Sequence, residues 1–493
     1  MRIGFDNRAY LTQQSQRIRE RVALFGGKLY LEFGGKLFDD YHAARVLPGF
    51  DKSGKVKLLC ELRDQAEIIL CISAGAIESS KIRSDVGITY DLDVLRLIDD
   101  LRRLDLLIGS VVITQYTGQN SADNFRKKLE RRGVRVYLHR LTKGYPSDID
   151  TIVSDEGYGA NPYIETSRPL VVVTAPGPGS GKLATCLSQL YHESKRGVRA
   201  GYAKYETFPI WDMPLQHPVN LAYEAATADL RDVNMIDPFH LAAYGVTAVN
   251  YNRDVEVFPI VKTILQRITG EDLYKSPTDM GVNMIGRCIT NDEVVREASC
   301  QEIIRRYYKE ACNYKQGLSD AETCQRIDFL MQTLGLKAQN RRVVRPALDK
   351  AAKSGCSSVA IELPDGIIIT GRTNDLMNGT ASVILNAIKH LSGLSDEILL
   401  ISPIVLEPIL RLKREVFGCL QPTLTAEEVL LALSISAATN PTAELAMNRL
   451  KELEGCEAHS SDMISKADED TFRKLGVNLT CEPQFAGKEL YEP

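Results

Sequence analysis

The sequence predicts an α/β protein: a doubly wound, mostly parallel sheet with a P-loop-like motif, a helical block, and a smaller C-terminal α/β module. Three observations predict it. Leu170-Val171-Val172-Val173 is an unbroken apolar run, as expected of a strand buried on both faces of a parallel sheet. Similar runs alternate with amphipathic stretches of about ten to fifteen residues, the spacing of right-handed βαβ units. At 493 residues the chain exceeds one ordinary core, so two or three domains are expected.

In order, residues 11–24 read as a helix, and Lys28–Phe33 as a strand running into Gly34-Gly35-Lys36. That double glycine reads as a tight turn, because Pro48-Gly49 interrupts the helix a phosphate loop would need. Strands are expected at Glu67–Ile72, Ser110–Tyr116 and Arg135–Leu141. Helices are expected at Asp93–Leu107, with Val94, Leu97, Ile98, Leu101 and Leu104 inward, and at Ala122–Arg132. Ligands on such sheets bind beyond the carboxyl ends of the strands, so residues 73–76, 117–120 and 175–182 form one expected rim. The polar loop 144–168 carries Asp148, Asp150, Asp155 and Glu156, which either pair on a metal or solvate a long connection.

The strand at 170–173 leads into Ala175-Pro176-Gly177-Pro178-Gly179-Ser180-Gly181-Lys182 and then a helix with Leu183, Leu187 and Leu190 on one face. Glycines let backbone N–H groups turn onto an anion, the helix N-terminus adds partial positive charge, and Lys182 adds a full one. Gly177, Gly179, Ser180, Gly181 and Lys182 are therefore phosphate-binding candidates; the alternative is a glycine-proline turn with a solvated lysine. Pro176 and Leu183 depart from G-x-x-x-x-G-K-[ST], and the missing hydroxyl at 183 removes a Mg²⁺ ligand. Thr185 is nearby but faces another way.

A short strand follows, ending at Lys204, which is either a second phosphate contact or a solvated strand end. Residues 206–260 are dense in polar and aromatic side chains, including Trp211, and read as a structured loop over the sheet. Asp237 and His240 are the acid–base candidates there, and Asn250–Asp254 a possible anion clamp. Equally, Asp237 caps a helix beginning at Pro238, and Arg253 and Asp254 form a surface pair.

Residues 255–335 form the helical block. Thr290–Glu293 and Ser319–Glu322 have capping-box spacing, ahead of helices with Val294, Ile303, Ile304 and Tyr307, then Ile327, Leu330, Met331 and Leu334, inward. Arg305, Arg306 and Lys309 read as a solvated face, and a block of this kind suits contact between copies of the chain. The polar segment 337–342 divides a first domain, 1–336 (with a further subdivision near 165), from a second at 343–493. In the second, residues 357–370 form a hairpin around Pro364-Asp365-Gly366, and Ala381–His390 a helix. A strand at Glu397–Ser402, a helix through Lys413 and a capped helix from Thr425 complete the module. The loop 371–380, with Arg372, Thr373, Asn378 and Thr380, is a second anion site or a helix-capping loop.

Composition excludes several classes. A net charge of −4 gives no pull toward nucleic acid or anionic lipid, and no apolar run approaches a membrane span. The start lacks the apolar core of a signal peptide, and eleven scattered cysteines without CxxC suggest neither zinc nor disulfides, so a cytoplasmic setting is expected.

Two resemblances add to this. VVVT, a glycine loop ending GK, a helix and then RAGYAKYE resemble the opening of the dethiobiotin-synthetase class of P-loop proteins, over about forty residues. In that class a lysine closing the second strand lies near phosphate, which implies that role for Lys204. FDNRAYLTQQSQRIRERV, APGPGSGK and GRTNDLMNGTASVILNAIKHLSG resemble, over nearly the whole chain, a bacterial UPF-type family, a domain of unknown function. That resemblance implies architecture and a bacterial cytoplasmic origin, and carries no catalytic residue. The expectation is a cytoplasmic homo-oligomer binding ATP, another nucleotide or a phosphorylated metabolite, with Mg²⁺ a candidate although the hydroxyl at 183 is missing. Phosphoryl-transfer or ligase-type chemistry stands beside two alternatives, a regulatory phosphate-binding module and a scaffold.

Overall fold

The computed structural model describes residues 2–38, 40–83, 87–419 and 422–487. Seven strands form one parallel sheet: β1 Leu29–Phe33, β2 Ala66–Ser73, β3 Leu107–Thr114, β4 Val136–Leu138, β5 Leu170–Thr174, β6 Gly201–Tyr205 and β7 Gly281–Val282. Their order is β7-β6-β1-β5-β2-β3-β4. Every residue of β1, β2 and β5 is buried, as the apolar runs require of strands covered on both faces. No helix among the described residues is long and apolar enough to cross a membrane.

Helix α1, Asn7–Leu24, starts where the Asp6 side chain accepts the Ala9 N–H at 3.0 Å. Its buried Tyr10, Gln14, Ile18 and Val22 recur every four residues and form one stripe. Gln14 does a second job in that stripe. Its amide donates to the Val282 carbonyl at 2.9 Å and accepts from Met284 N–H at 2.9 Å, so it clamps the two-residue edge strand β7. Sequence periodicity gave the 255–335 region to helices alone; this side-chain clamp is why a strand forms inside it.

Three other expectations are corrected in detail. Helix α2 spans Tyr90–Arg103, so Leu104 falls at its C-cap, 37% exposed rather than inward. Strand β3 begins earlier than expected and stops at Thr114, because Gln115 turns with φ +54°. Arg253 and Asp254 do not pair with each other: Arg253 meets Asp232 at 3.1 Å and Asp254 meets Lys204.

The chain divides into two compact units, the first Arg2–Ser299 and the second from Cys300 onward. The division falls inside the helix Asp292–Lys315. In the second unit β8 Ser358–Glu362 and β9 Ile368–Arg372 make the expected hairpin. The other two strands of its four-stranded sheet are β10 Glu457–Ser460 and β11 Asn478–Cys481, in the order β9-β8-β10-β11. The expected strand Glu397–Ser402 is irregular; Leu400 and Ile401 are buried there without strand pairing, so the apolar signal reported burial and not a ladder. The second helix of the block is capped by Asp320, which accepts Thr323 N–H at 2.7 Å, one residue after the expected Ser319. Tyr308, at 2% exposed, is the inward tyrosine instead of Tyr307.

The expected solvated face at Arg305 and Arg306 is an ion network. Glu302 is fully buried and takes both guanidinium groups, and Arg305 also reaches Glu457 at 3.4 Å. Arg341, 1% exposed, pairs with Glu457 and donates to the Ala458 and Asn478 carbonyls at 3.0 and 2.6 Å. Burial alone would raise the Glu457 carboxyl, but Arg305 and Arg341 hold it below its usual range.

Close packing at one position of the large sheet gives a direct test. A Cβ on Gly201 would stand 2.0 Å from the buried Phe25 ring. Gly201→Ala is expected to destabilise the chain by about 1–3 kcal/mol, measured as a lowered urea midpoint. An unchanged midpoint would mean that Phe25 has room to move.

Candidate functional site

The carboxyl ends of the central strands carry a cluster of charged side chains, Glu32, Lys182, Lys204, Glu206 and Asp254. Strand β5 ends at Thr174, and the glycine loop turns there into helix α3, Lys182–Lys195. Gly179 and Gly181 have φ +73° and +78°, the left-handed region that favours glycine. Gly177 has another reason to be glycine: a Cβ would lie 2.2 Å from the Tyr90 hydroxyl oxygen. Ser180 is buried, donates its hydroxyl to the Gly177 carbonyl at 2.8 Å, and accepts Thr114 Oγ1 on its own carbonyl at 2.9 Å. Thus the loop lies over β2 and is tied to the end of β3. No side chain caps α3, so the N–H groups of its first turn are left for another acceptor. Thr185 cannot replace the hydroxyl missing at Leu183, because its Oγ1 donates to the Gly181 carbonyl at 2.9 Å.

Strand register brings the two candidate lysines together. Glu32 of β1 lies beside Val173 of β5 on one side and Lys204 of β6 on the other. Lys182 Nζ is 3.9 Å from Glu32 Oε1, and Tyr202 donates to Glu32 Oε2 at 2.8 Å. Lys204 pairs with Asp254 and stands 2.6 Å from Glu206. Burial works against the Lys204 charge, but Asp254, Glu206 and Glu32 outweigh it and hold its ammonium well above the ordinary lysine range. Burial pushes the Glu206 carboxyl up to about 7, Lys204 opposing and Asp254 reinforcing the shift. A carboxyl poised there exchanges a proton near neutral pH. Asp254 belongs to the Asn250–Asp254 stretch expected as an anion clamp or a surface pair, whereas Glu32 and Glu206 lie outside every candidate motif; a lone Glu within Leu29-Tyr30-Leu31-Glu32-Phe33 is the signal for the first.

The remaining sequence candidates lie elsewhere. Asp237 is fully buried and its carboxylate is committed: Oδ1 accepts from Phe239 and His240 N–H, both at 3.0 Å, and Oδ2 from Thr278 Oγ1 at 2.6 Å. His240 lines a separate cavity, with Nδ1 at 3.0 Å from Ser276 Oγ. In the second unit Asn378 caps the helix Gly379–Leu391, accepting from Ala381 N–H at 3.0 Å and Thr380 Oγ1 at 2.6 Å. Thr373 Oγ1 accepts Gly379 N–H at 3.0 Å, while Arg372 is exposed at the end of β9. The acids of loop 144–168 are caps and surface partners: Asp148 caps a helical turn, Asp150 meets Arg267 at 2.8 Å, and Asp155 accepts from Tyr191 at 2.6 Å. Among the described residues no group of three or more His, Cys, Asp or Glu is placed to hold a metal ion.

Comparison with known proteins matches the chain along its length. A family model described as "Domain of unknown function DUF1846, N-terminal" matches residues 3–335, and its C-terminal counterpart matches residues 339–491. A UPF0371 protein of Clostridium botulinum (strain 657 / Type Ba4) is 61% identical, the alignment covering 100% of this chain and 99% of the relative. A UPF0371 protein of Clostridium tetani (strain Massachusetts / E88) is 60% identical with the same coverage.

The Glu206 geometry makes a pH-dependent prediction. Its carboxyl is raised from an ordinary 4.5 to about 7, so between those pH values the native state holds a proton that the unfolded state has lost, and the chain loses stability as pH rises across that window. Glu206→Gln should leave stability nearly unchanged at about pH 4 and raise it by on the order of 1–3 kcal/mol at about pH 8, with Lys204 still paired to Asp254. Equal effects at both pH values, read from urea denaturation, would show that Glu206 is ionised throughout.

Proposed function

From the premise that the chain belongs to the DUF1846 family, we propose that its first unit binds a nucleotide or phosphorylated metabolite at the glycine loop 175–182. One observation carries the reading. The uncapped start of α3 lies at the carboxyl end of the central strand β5, where Lys182 reaches Glu32 and Lys204, paired with Asp254 and Glu206, is in register with that same Glu32. The free N–H groups of the first turn and the Lys182 ammonium supply donors and charge for phosphate oxygens. Lys204 is held in its charged form by its carboxylate neighbours and adds a second positive centre. With Glu206 protonated, Lys182 and Lys204 balance Glu32 and Asp254; with it ionised, the cluster is one charge more negative. Anion binding is therefore coupled to proton uptake, and affinity falls as pH rises past neutrality.

In a phosphoryl-transfer or ligase-type reaction Lys182 and Lys204 would stabilise phosphate charge and Glu206 would move the proton. Leu183 favours a second reading, a non-catalytic module that holds its phosphate ligand for regulation, because neither it nor Thr185 offers Mg²⁺ a hydroxyl.

Thermal unfolding with and without inorganic phosphate or ATP tests the binding. Saturating ligand should raise the midpoint by roughly 2–5 °C, more at pH 6 than at pH 8, and Lys182→Ala should remove most of that shift, read against the variant's own unliganded midpoint, which falls because Glu32 loses its nearest positive neighbour. Ligand stabilisation that is indifferent to Lys182→Ala, or none at all, would leave the loop a structural turn. Product analysis after incubation with ATP and Mg²⁺ then separates enzyme from regulatory module.

A further inference from the structure

The β7 edge of the large sheet borders a cavity lined by none of the glycine-loop residues. This cavity, of about 410 Å³, opens between α1 and the segments around Trp211, His240 and Asn283. It adjoins another of about 370 Å³ with which it shares Arg17, Glu20, Arg21 and Asp279. The volume is that of a small-molecule pocket. Gln13, Arg17 and Arg21 are spaced four apart on α1, so one helical stripe faces the cavity. None of residues 175–182, Lys204 or Glu206 lines it.

The polar groups of this cavity are unevenly satisfied. Glu20 already accepts from Gln16 and Arg17, each at 3.1 Å. The Asp279 carboxylate accepts from Lys275 N–H, Ser276 N–H and Tyr244 Oη at 2.9, 3.1 and 2.9 Å as part of a capping box. By contrast, Arg21 Nε is buried with no hydrogen-bond partner, although Nη2 of the same guanidinium donates to the Asp279 carbonyl. Arg287 adds a third guanidinium to the lining and is exposed. Three guanidinium groups, Arg17, Arg21 and Arg287, face two carboxylates, Glu20 and Asp279, so the lining carries a net positive charge that an oxyanion complements.

The opposite wall is aromatic. The Trp211 indole N–H is fixed on the Asn283 carbonyl at 3.1 Å, and the His240 ring lies 6.2 Å from the Trp211 ring and 4.8 Å from that of Tyr244. Flat, immobilised rings favour a flat ligand.

We infer that this cavity is a binding site for a planar aromatic compound bearing a carboxylate or phosphate, its anionic group on Arg21 and Arg287 and its ring on Trp211 and His240. Because Trp211 is the single tryptophan of the chain, its emission reads the cavity directly. The titrations use adenosine 5′-monophosphate, benzoate and inorganic phosphate, in the wild type and in Lys182→Ala, where the glycine loop no longer contributes. A saturable change of Trp211 emission with the monophosphate or with benzoate, persisting in Lys182→Ala and weakened at least about tenfold in Arg21→Gln, is the expected result. A response to the monophosphate alone identifies the phosphate-bearing source, and a response to benzoate alone the carboxylate-bearing one. Should Arg21→Gln fail to fold, Arg287→Gln, at an exposed side chain, reads the same loss. No saturable change with either compound at millimolar concentration would overturn the inference. So would inorganic phosphate binding as tightly as the monophosphate, or a response that vanishes in Lys182→Ala or survives both arginine variants.

Discussion

A carboxylate in the middle of an apolar strand has to be compensated where it stands. Glu32 is 8% exposed on β1, between β5 and β6, and an uncompensated charge there would cost several kcal/mol. Tyr202 supplies a hydroxyl, and Lys182 supplies the nearest opposite charge from the first turn of α3. Lys204, in register with Glu32, is itself balanced by Asp254 and Glu206. The arrangement of the whole rim follows from that one buried charge. Parallel pairing sets which residues share a level, and each charge admitted at that level calls for another.

The same requirement explains why the glycine loop has its particular shape. Thr114 at the end of β3 holds the Ser180 carbonyl, and Tyr90 fills the space beside Gly177. These contacts keep the loop over the strand ends while Lys182 leans back toward β1. Two of the glycines are thus demanded by backbone angle and one by a neighbouring ring, and the first turn of the helix remains without an internal acceptor. Rigidity of that kind is what a preorganised anion site needs, because a loop that must first be ordered spends binding energy on its own entropy.

Much of the large sheet could be read from residue pattern, because strands covered on both faces are mostly apolar. Leu170–Val173 is the plainest case, and the helix after Lys182 follows from its leucine spacing. What pattern could not supply was partnership at a distance. Strand β7 is held by Gln14, more than 250 residues away, and has too few residues to show a period. Glu457–Ser460 and Asn478–Cys481 mix polar with apolar residues and went unread as strands, whereas Glu397–Ser402 had the right composition and no partner to pair with. For the rim, Lys182 and Lys204 were legible as basic residues at the ends of patterned elements. Glu32, Glu206 and Asp254 became part of the same place only through strand register and the turn into Asn252–Thr269.

The large sheet also tapers. Its interior strands β2 and β3 run for eight residues each, while the borders are β4 with three and β7 with two. A border that short offers an incoming chain almost no ladder to extend, and on one side the Gln14 side chain already occupies a carbonyl and an N–H of the terminal segment. A parallel sheet with a largely apolar middle is slow to form and exposes sticky surface while it does. Short, partly occupied borders are the feature by which this architecture keeps neighbouring copies from joining edge to edge in a crowded solution.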